Sequence, residues 1–142
     1  GTVFIVNDRV DVAMAVGADG VHLGQDDMPV HMARKLLGPE AVIGASVRSV
    51  EEAKAAWEEG ADYIAANLIF STNTKTDIGE PLGIEAVQEL KKASPLPLVA
   101  IGGINPSNAK SVREAGADGI AVVSAIMAAE DVPLAIALLS GT

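Results

Sequence analysis

The chain has 142 residues, 49% of them hydrophobic and only 3% aromatic, with a formal net charge of −9 and no cysteine. That length fits a single domain spanning residues 1–142, the acidic balance argues against nucleic acid or an anionic membrane surface as the main partner, and disulfides, thiolate metal sites and a cysteine nucleophile are excluded. No apolar run reaches the roughly 18–20 residues of a membrane span, so the expectation is a soluble cytoplasmic protein.

In chain order, a strand is expected at Val3–Val6, with no cap or loop before it, and a helix over Val10–Val16. The triplet Gly17-Ala18-Asp19 then leads into a strand at Gly20–Leu23, followed by a helix over Val30–Leu37 and a strand at Val42–Ala45. Ser49 and Glu52 have the Ser-x-x-Glu spacing of a capping box and open a helix over Val50–Glu58. Gly60-Ala61-Asp62 repeats the triplet ahead of a strand at Tyr63–Ala66, and a helix follows over Ile84–Ala93. The remaining strands are expected at Leu98–Ile101 and, after the third triplet Gly116-Ala117-Asp118, at Gly119–Val123. Between them a helix starts at Asn105-Pro106, with proline at its first position, and short helices over Ser124–Ala129 and Pro133–Leu139 close the chain. In each triplet the glycine takes the left-handed position that ends a helix, and the aspartate reads as a turn residue.

Short apolar strands alternating with helices imply a parallel sheet covered by helices. The first strand-to-helix turn lacks a Gly-x-Gly-x-x-Gly dinucleotide motif, while the glycines after the fifth strand and the short helix after the sixth resemble the phosphate-binding end of a TIM (β/α)8 barrel. The fold expected is therefore such a barrel, with strands 3 to 8 in this chain and the first two missing. An exposed apolar sheet edge is expected where those two strands would pair.

In such folds chemistry gathers at the C-terminal ends of the strands. These carry, in order, Asn7-Asp8-Arg9, Gln25-Asp26-Asp27, Ser46-Val47-Arg48, the loop from Ser71 to Asp77, Gly102-Gly103 and Ser124-Ala125. Paired carboxylates suit Mg²⁺ shared with phosphate oxygens. Thr72, Thr74 and Lys75 offer hydroxyl donors and a point charge to a phosphate, and the glycines admit a phosphate to bare backbone N–H groups. Each item also has a plain structural reading: Asp8 as a helix N-cap, Asp26 and Asp27 as cap and turn, Thr72–Lys75 as a loop, and the glycines as a tight turn. His22 and His31 read as structural, Arg48 as a solvated charge, and Trp57 as packing against the barrel wall.

The segments Asn7–Asp11, Gly17–Asp27, Ile43–Ser46, Thr72–Lys75, Val99–Ile104 and Gly116–Ile126 resemble the thiamine phosphate synthase family in order and spacing across nearly the whole chain. The resemblance implies a transferase that joins hydroxymethylpyrimidine diphosphate to a thiazole phosphate with release of pyrophosphate, through a dissociative substitution. It implies Asp8 and Asp27 as Mg²⁺ ligands, and Asn7, Ser46 and Lys75 as diphosphate contacts, with Ser46 and Lys75 catalytic. It also implies Thr72 and Thr74, with Gly103, Val123 and Ser124, as the thiazole phosphate site. The family's Gly-Pro ahead of the Thr-x-Thr-Lys loop reads Asn67-Leu68 here, and the larger side chains are expected to reshape the site floor. The family's Gln-x-Arg-x-Lys segment belongs to the strands expected to be missing, so this chain alone is expected to be inactive. Its partners are then the two small-molecule substrates, with a homo-oligomer or an N-terminal segment as the macromolecular contact. The rival readings are a thiazole tautomerase-like isomerase, a phosphate-binding isomerase barrel, and a non-catalytic partial barrel.

Overall fold

A computed structural model of the chain describes residues 1–71 and 79–141. Its strands are β1 (Ile5–Asn7), β2 (Gly20–Leu23), β3 (Val42–Val47), β4 (Tyr63–Asn67), β5 (Leu98–Ile101) and β6 (Gly119–Ala121). They pair in sequence order, all parallel, as a six-stranded sheet. The helices are α1 (Val10–Val16), α2 (Val30–Leu37), α3 (Val50–Glu58), α4 (Gly83–Ala93), α5 (Ala109–Glu114), α6 (Ser124–Met127) and α7 (Val132–Ser140). Consecutive neighbours in sequence are neighbours in space, which gives an α/β half-barrel; the described residues do not include a complete eight-stranded barrel.

Strand parity divides the side chains into two sets, because successive residues of a strand point to opposite faces. Val21, Leu23, Ile43, Ala45, Val47, Ile64, Ala66, Leu98 and Ala100 are buried beneath the helices. Most helices answer with a pair of buried residues three apart: Val10 and Ala13, Val30 and Ala33, Ala53 and Ala56, Val87 and Leu90, Ala109 and Val112. One member is usually alanine, whose small side chain lets the helix axis lie close to the sheet. The opposite parity, which includes His22, Ser46, Tyr63 and Asn67, faces the hollow of the half-barrel.

The Gly-Ala-Asp repeat does more than end helices. Phe4 N–H donates to Asp19 Oδ2 at 2.7 Å, and Asp19 N–H donates back to Phe4 O at 2.9 Å. The same reciprocal pair joins Ile43 to Asp62 and Leu98 to Asp118. Each aspartate therefore accepts from a backbone N–H at the start of the preceding strand, just before β1, one residue into β3 and at the first residue of β5, and staples two strands at their N-terminal ends, where a turn residue alone was expected. Two of the three are also ion-paired, Asp62 with Arg34 at 2.6 Å and Asp118 with Lys91 at 2.7 Å.

Element ends depart from expectation where pairing decides them. Val3 and Phe4 precede the ladder, because β2 begins only at Gly20, opposite Ile5. They are 59% and 53% exposed, while Ile5 and Val6 of β1 itself, a sheet-edge strand among the described residues, are partly buried. At the other margin β6 stops at Ala121, opposite the last residue of β5, whereas β3 and β4 are paired on both sides and run on to Val47 and Asn67. The helix expected at Pro106 begins at Ala109 instead. Asn105 Oδ1 accepts from Ser107 N–H and Asn108 Oδ1 from Asn105 N–H, both at 2.9 Å, so side chains hold the intervening residues as a turn. Trp57 lies on α3 but is 52% exposed rather than packed on the barrel wall. Among the described residues no helix is long and apolar enough to cross a membrane.

Candidate functional site

The C-terminal ends of the strands enclose a cavity of about 620 Å³ lined by Asn7, Asp8, His22, Asp26, Asp27 and Ser46 among others. A wider hollow of about 800 Å³ lies at the opposite end, around Val3, Met14, Leu36 and Val42. Parallel α/β folds carry their chemistry at the C-terminal end, and the first of these two cavities is the one that gathers the strand-end carboxylates Asp8, Asp26 and Asp27.

The loop after β1 supplies Asn7 and Asp8. Asp8 holds a left-handed backbone, φ 65°, and its N–H donates to His22 O at 2.8 Å, which ties this loop to β2. It does not cap α1: the N-cap is Arg9, without a side-chain cap bond. Arg9 instead pairs with Asp11 through two hydrogen bonds of 2.8 and 2.5 Å, which hold the Asp11 carboxyl down at about 2. The loop after β2 closes tightly, with Asp27 Oδ2 accepting from Gly24 N–H at 2.7 Å and Asp27 N–H reaching Gly24 O at 3.2 Å. Asp27 thus shapes its own turn and still lines the cavity.

Ser46, near the end of β3, is held twice. Gln25 Nε2 donates to its carbonyl at 2.7 Å, and its hydroxyl lies 2.8 Å from His22 Nε2. His22 Nδ1 in turn lies 2.9 Å from the Tyr63 hydroxyl, with the two rings stacked at a centroid separation of 5.5 Å. His22 thus lines the cavity while it links Ser46 and Tyr63. Burial raises the Tyr63 phenol above its ordinary pKa.

Arg48 is no solvated charge either. Its guanidinium donates to Asn67 O at 2.8 Å and to Glu80 O at 2.6 Å, and its backbone N–H donates to Glu52 Oε2 at 2.7 Å. The capping box of α3 is thereby shifted by one residue: Ser49 Oγ accepts from Glu52 N–H as expected, while Glu52 reaches back to Arg48 instead of Ser49. Asn67 is among the residues that line the cavity, whereas Leu68 is buried behind it against Gly102.

Gly102 and Gly103 have φ values of 102° and 64°. A methyl group on Gly102 would sit 2.3 Å from Leu68 Cδ1, and one on Gly103 2.5 Å from Ser71 O. Their bareness admits the chain segment after β4. Gly103, Val123 and Ser124 stand at the same end of the sheet but outside the cavity lining. Thr72, Thr74 and Lys75 lie outside the described residues. Asn7, Asp8, Asp27 and Ser46 are thus brought together; of the other lining residues, sequence reading places Gln25 and Arg48 among the strand-end groups without a site role, takes His22 as structural and passes over Tyr63. Strand parity is the signal that could have found His22 and Tyr63, since their neighbours Val21 and Ile64 face the helices.

The metal question turns on the donor set. Asp8 and Asp27 face one cavity, but among the described residues no group of three His, Cys, Asp or Glu side chains converges as a complete metal site would. Two hard carboxylates suit a cation that takes its other ligands from water and phosphate oxygens.

A parallel half-barrel with a polar strand-end cavity defines an α/β protein of the barrel type. The family described as thiamine monophosphate synthase matches residues 1–126. The chain is 51% identical over 135 residues to a thiamine-phosphate synthase of Moorella thermoacetica, covering 95% of this chain and 64% of that protein. It is 53% identical over 135 residues to that of Chloroflexus aurantiacus, covering 95% and 62%. The structure of a thiamine phosphate pyrophosphorylase from Pyrococcus furiosus superposes with a TM-score of 0.87 at 47% identity, over 99% of this chain and 66% of that one. This chain belongs to the thiamine monophosphate synthase family. It spans less than two thirds of the length of these relatives.

Proposed function

We propose that the protein is a thiamine-phosphate synthase: a cytoplasmic, Mg²⁺-dependent transferase that couples hydroxymethylpyrimidine diphosphate to hydroxyethylthiazole phosphate and releases pyrophosphate. One observation carries this reading. Asn7, Asp8, Asp27 and Ser46, from three separate strand ends, converge on a single cavity in a chain about half identical to proteins of that name. On this reading the six strands are strands 3 to 8 of a complete (β/α)8 barrel.

Breaking the bond to a diphosphate needs stabilisation of the charge that builds on the leaving group, rather than a strong base. Asp8 and Asp27 would hold Mg²⁺, whose charge would offset that of the diphosphate. The Asn7 amide and Ser46 hydroxyl donate to its oxygens, and Lys75 adds a cation. Thr72 and Thr74, with the backbone around Gly103, Val123 and Ser124, take the thiazole phosphate and hold its ring nitrogen near the reacting carbon. Keeping two phosphorylated substrates in register turns a bimolecular encounter into a local one.

The test is to incubate the purified full-length gene product with both substrates and Mg²⁺ and to measure thiamine phosphate and pyrophosphate. Equimolar products are expected, with a loss of at least about tenfold in Lys75→Ala and Asp27→Ala, the equivalent of about 1.4 kcal/mol of transition-state stabilisation. Full activity in both variants would overturn the site assignment. Isomerisation of the thiazole phosphate without diphosphate consumption would replace the synthase reading by the isomerase one.

A further inference from the structure

We propose that His22 and Tyr63 are positioning residues, a hydrogen-bonded relay that presents the Ser46 hydroxyl as a donor to a phosphoryl oxygen in the cavity. The inference rests on the reading that Ser46 meets the diphosphate, and it assigns a role to two side chains that reading does not use.

The relay is built across three strands. His22, Gly44 and Tyr63 are register partners on β2, β3 and β4. A side chain at the middle position would separate the outer two, but that position is glycine. A methyl group there would lie 2.0 Å from Tyr63 Cζ and 2.4 Å from its hydroxyl oxygen. The tyrosine ring thus lies over the bare backbone of β3 and reaches the imidazole, which reaches Ser46 two residues further along β3. Gln25 fixes the Ser46 carbonyl from the other side, so the hydroxyl stands on an anchored backbone.

A neutral imidazole has one N–H and one lone-pair nitrogen, so the chain of bonds can carry its protons in either of two directions. In one, Ser46 O–H donates to Nε2 and Nδ1–H donates to the tyrosine. In the other, Tyr63 O–H donates to Nδ1 and Nε2–H donates to Ser46 Oγ, which leaves the serine proton for the cavity. Phosphoryl oxygens accept hydrogen bonds and do not donate them, so an ionised phosphate selects the second direction. Tyr63 is suited to be its terminal donor, because burial keeps the phenol protonated.

The test is a double-mutant cycle between Tyr63→Phe and Ser46→Ala in the full-length protein, read by turnover and by titration with inorganic pyrophosphate and Mg²⁺. Phenylalanine keeps the ring and removes only the hydroxyl. Tyr63→Phe is expected to weaken pyrophosphate binding and lower kcat/KM about threefold to tenfold, and to have no further effect once Ser46 is alanine. His22→Leu is expected to cost at least as much, and His22→Gln, whose amide can still donate towards Ser46, to recover most of the loss. An equal Tyr63→Phe effect in both Ser46 backgrounds would overturn the relay, since that is what a merely structural tyrosine would do. Wild-type behaviour in Tyr63→Phe would overturn it too, while leaving the synthase reading intact. Coupling in the pyrophosphate titration without synthase turnover would support the relay and remove the synthase reading. A wild-type protein that binds no pyrophosphate would overturn both.

Discussion

Adding one methyl group at Gly44 is expected to destabilise the protein through Tyr63 alone. Gly44 has no left-handed backbone to explain it, so alanine is conformationally acceptable there. The obstacle is the ring, whose Cζ, Cε1 and hydroxyl oxygen would lie 2.0, 2.4 and 2.4 Å from the new carbon. Carbon atoms pack at about 3.5–4.0 Å, so the ring must retreat by roughly 1.5 Å. That displacement breaks the 2.9 Å contact with His22. Overpacking costs about 1–3 kcal/mol and a lost hydrogen bond about 1 kcal/mol, while replacing a strand glycine by alanine returns about 0.5–1 kcal/mol. The net expectation is a loss of about 1–3 kcal/mol. Urea unfolding monitored by circular dichroism measures it from the shift in midpoint at constant slope. In a Tyr63→Leu background, where the ring is gone, the same Gly44→Ala change is expected to cost almost nothing. An equal cost in both backgrounds would refute the claim that this glycine exists for the tyrosine.

Arg34 donates to the carbonyls of Gly38, Ala41 and Gly60 as well as to Asp62, so Arg34→Leu strips several partly buried acceptors at once. A loss of about 2–4 kcal/mol is expected, and an unchanged melting temperature would contradict it. The hydrogen bond from Lys91, helped by Leu98 N–H, holds the Asp118 carboxyl below its ordinary pKa. A depressed folded pKa contributes stability above the unfolded value of about 3.9 and loses it as pH falls through the folded one. Asp118→Asn, which keeps an oxygen for Leu98 N–H, should therefore have a lower urea midpoint than wild type at pH 7, by a deficit that shrinks as pH falls below the unfolded value of about 3.9. A gap independent of pH would deny Lys91 its part. Arg48→Ala should speed hydrogen exchange at the Leu82 and Gly83 amides, which bond Leu68 O and Ile69 O, by roughly fivefold to tenfold. Unchanged protection would show that Arg48 does not hold the pairing of Leu82 and Gly83 with Leu68 and Ile69.

Helices were the most legible part of the sequence because their ends carry local signals. Gly17 ends α1 in the left-handed conformation, and Ser49 opens α3 with a side-chain cap, as their positions imply. Strand ends were less legible, since β1 begins where β2 begins and β6 stops where β5 stops, each having one paired neighbour among the described residues. The three aspartates of the repeat show why local rules fall short: each looks like a turn residue until the strand it caps, 15 to 20 residues earlier, is brought beside it. In the site, Asn7, Asp8, Asp27 and Ser46 were among the groups that position after apolar strands picks out, and the family resemblance singled them out from neighbours such as Arg9 and Asp26. His22 and Tyr63 were hidden because each sits inside a strand, and Arg48 because its acceptors are backbone carbonyls, which no sequence pattern marks. Gly102 and Gly103 read as phosphate-admitting glycines, and they also accommodate Leu68 and Ser71, a packing need that only the fold brings into view.

The most direct test of the account is calorimetric titration of the full-length protein with inorganic pyrophosphate, with and without Mg²⁺. If the strand-end cavity takes a magnesium diphosphate, one pyrophosphate should bind per chain, binding should depend on Mg²⁺, and Asp27→Asn should weaken it at least about tenfold, or about 1.4 kcal/mol. Binding that ignores both Mg²⁺ and Asp27, or no binding at all, would contradict it.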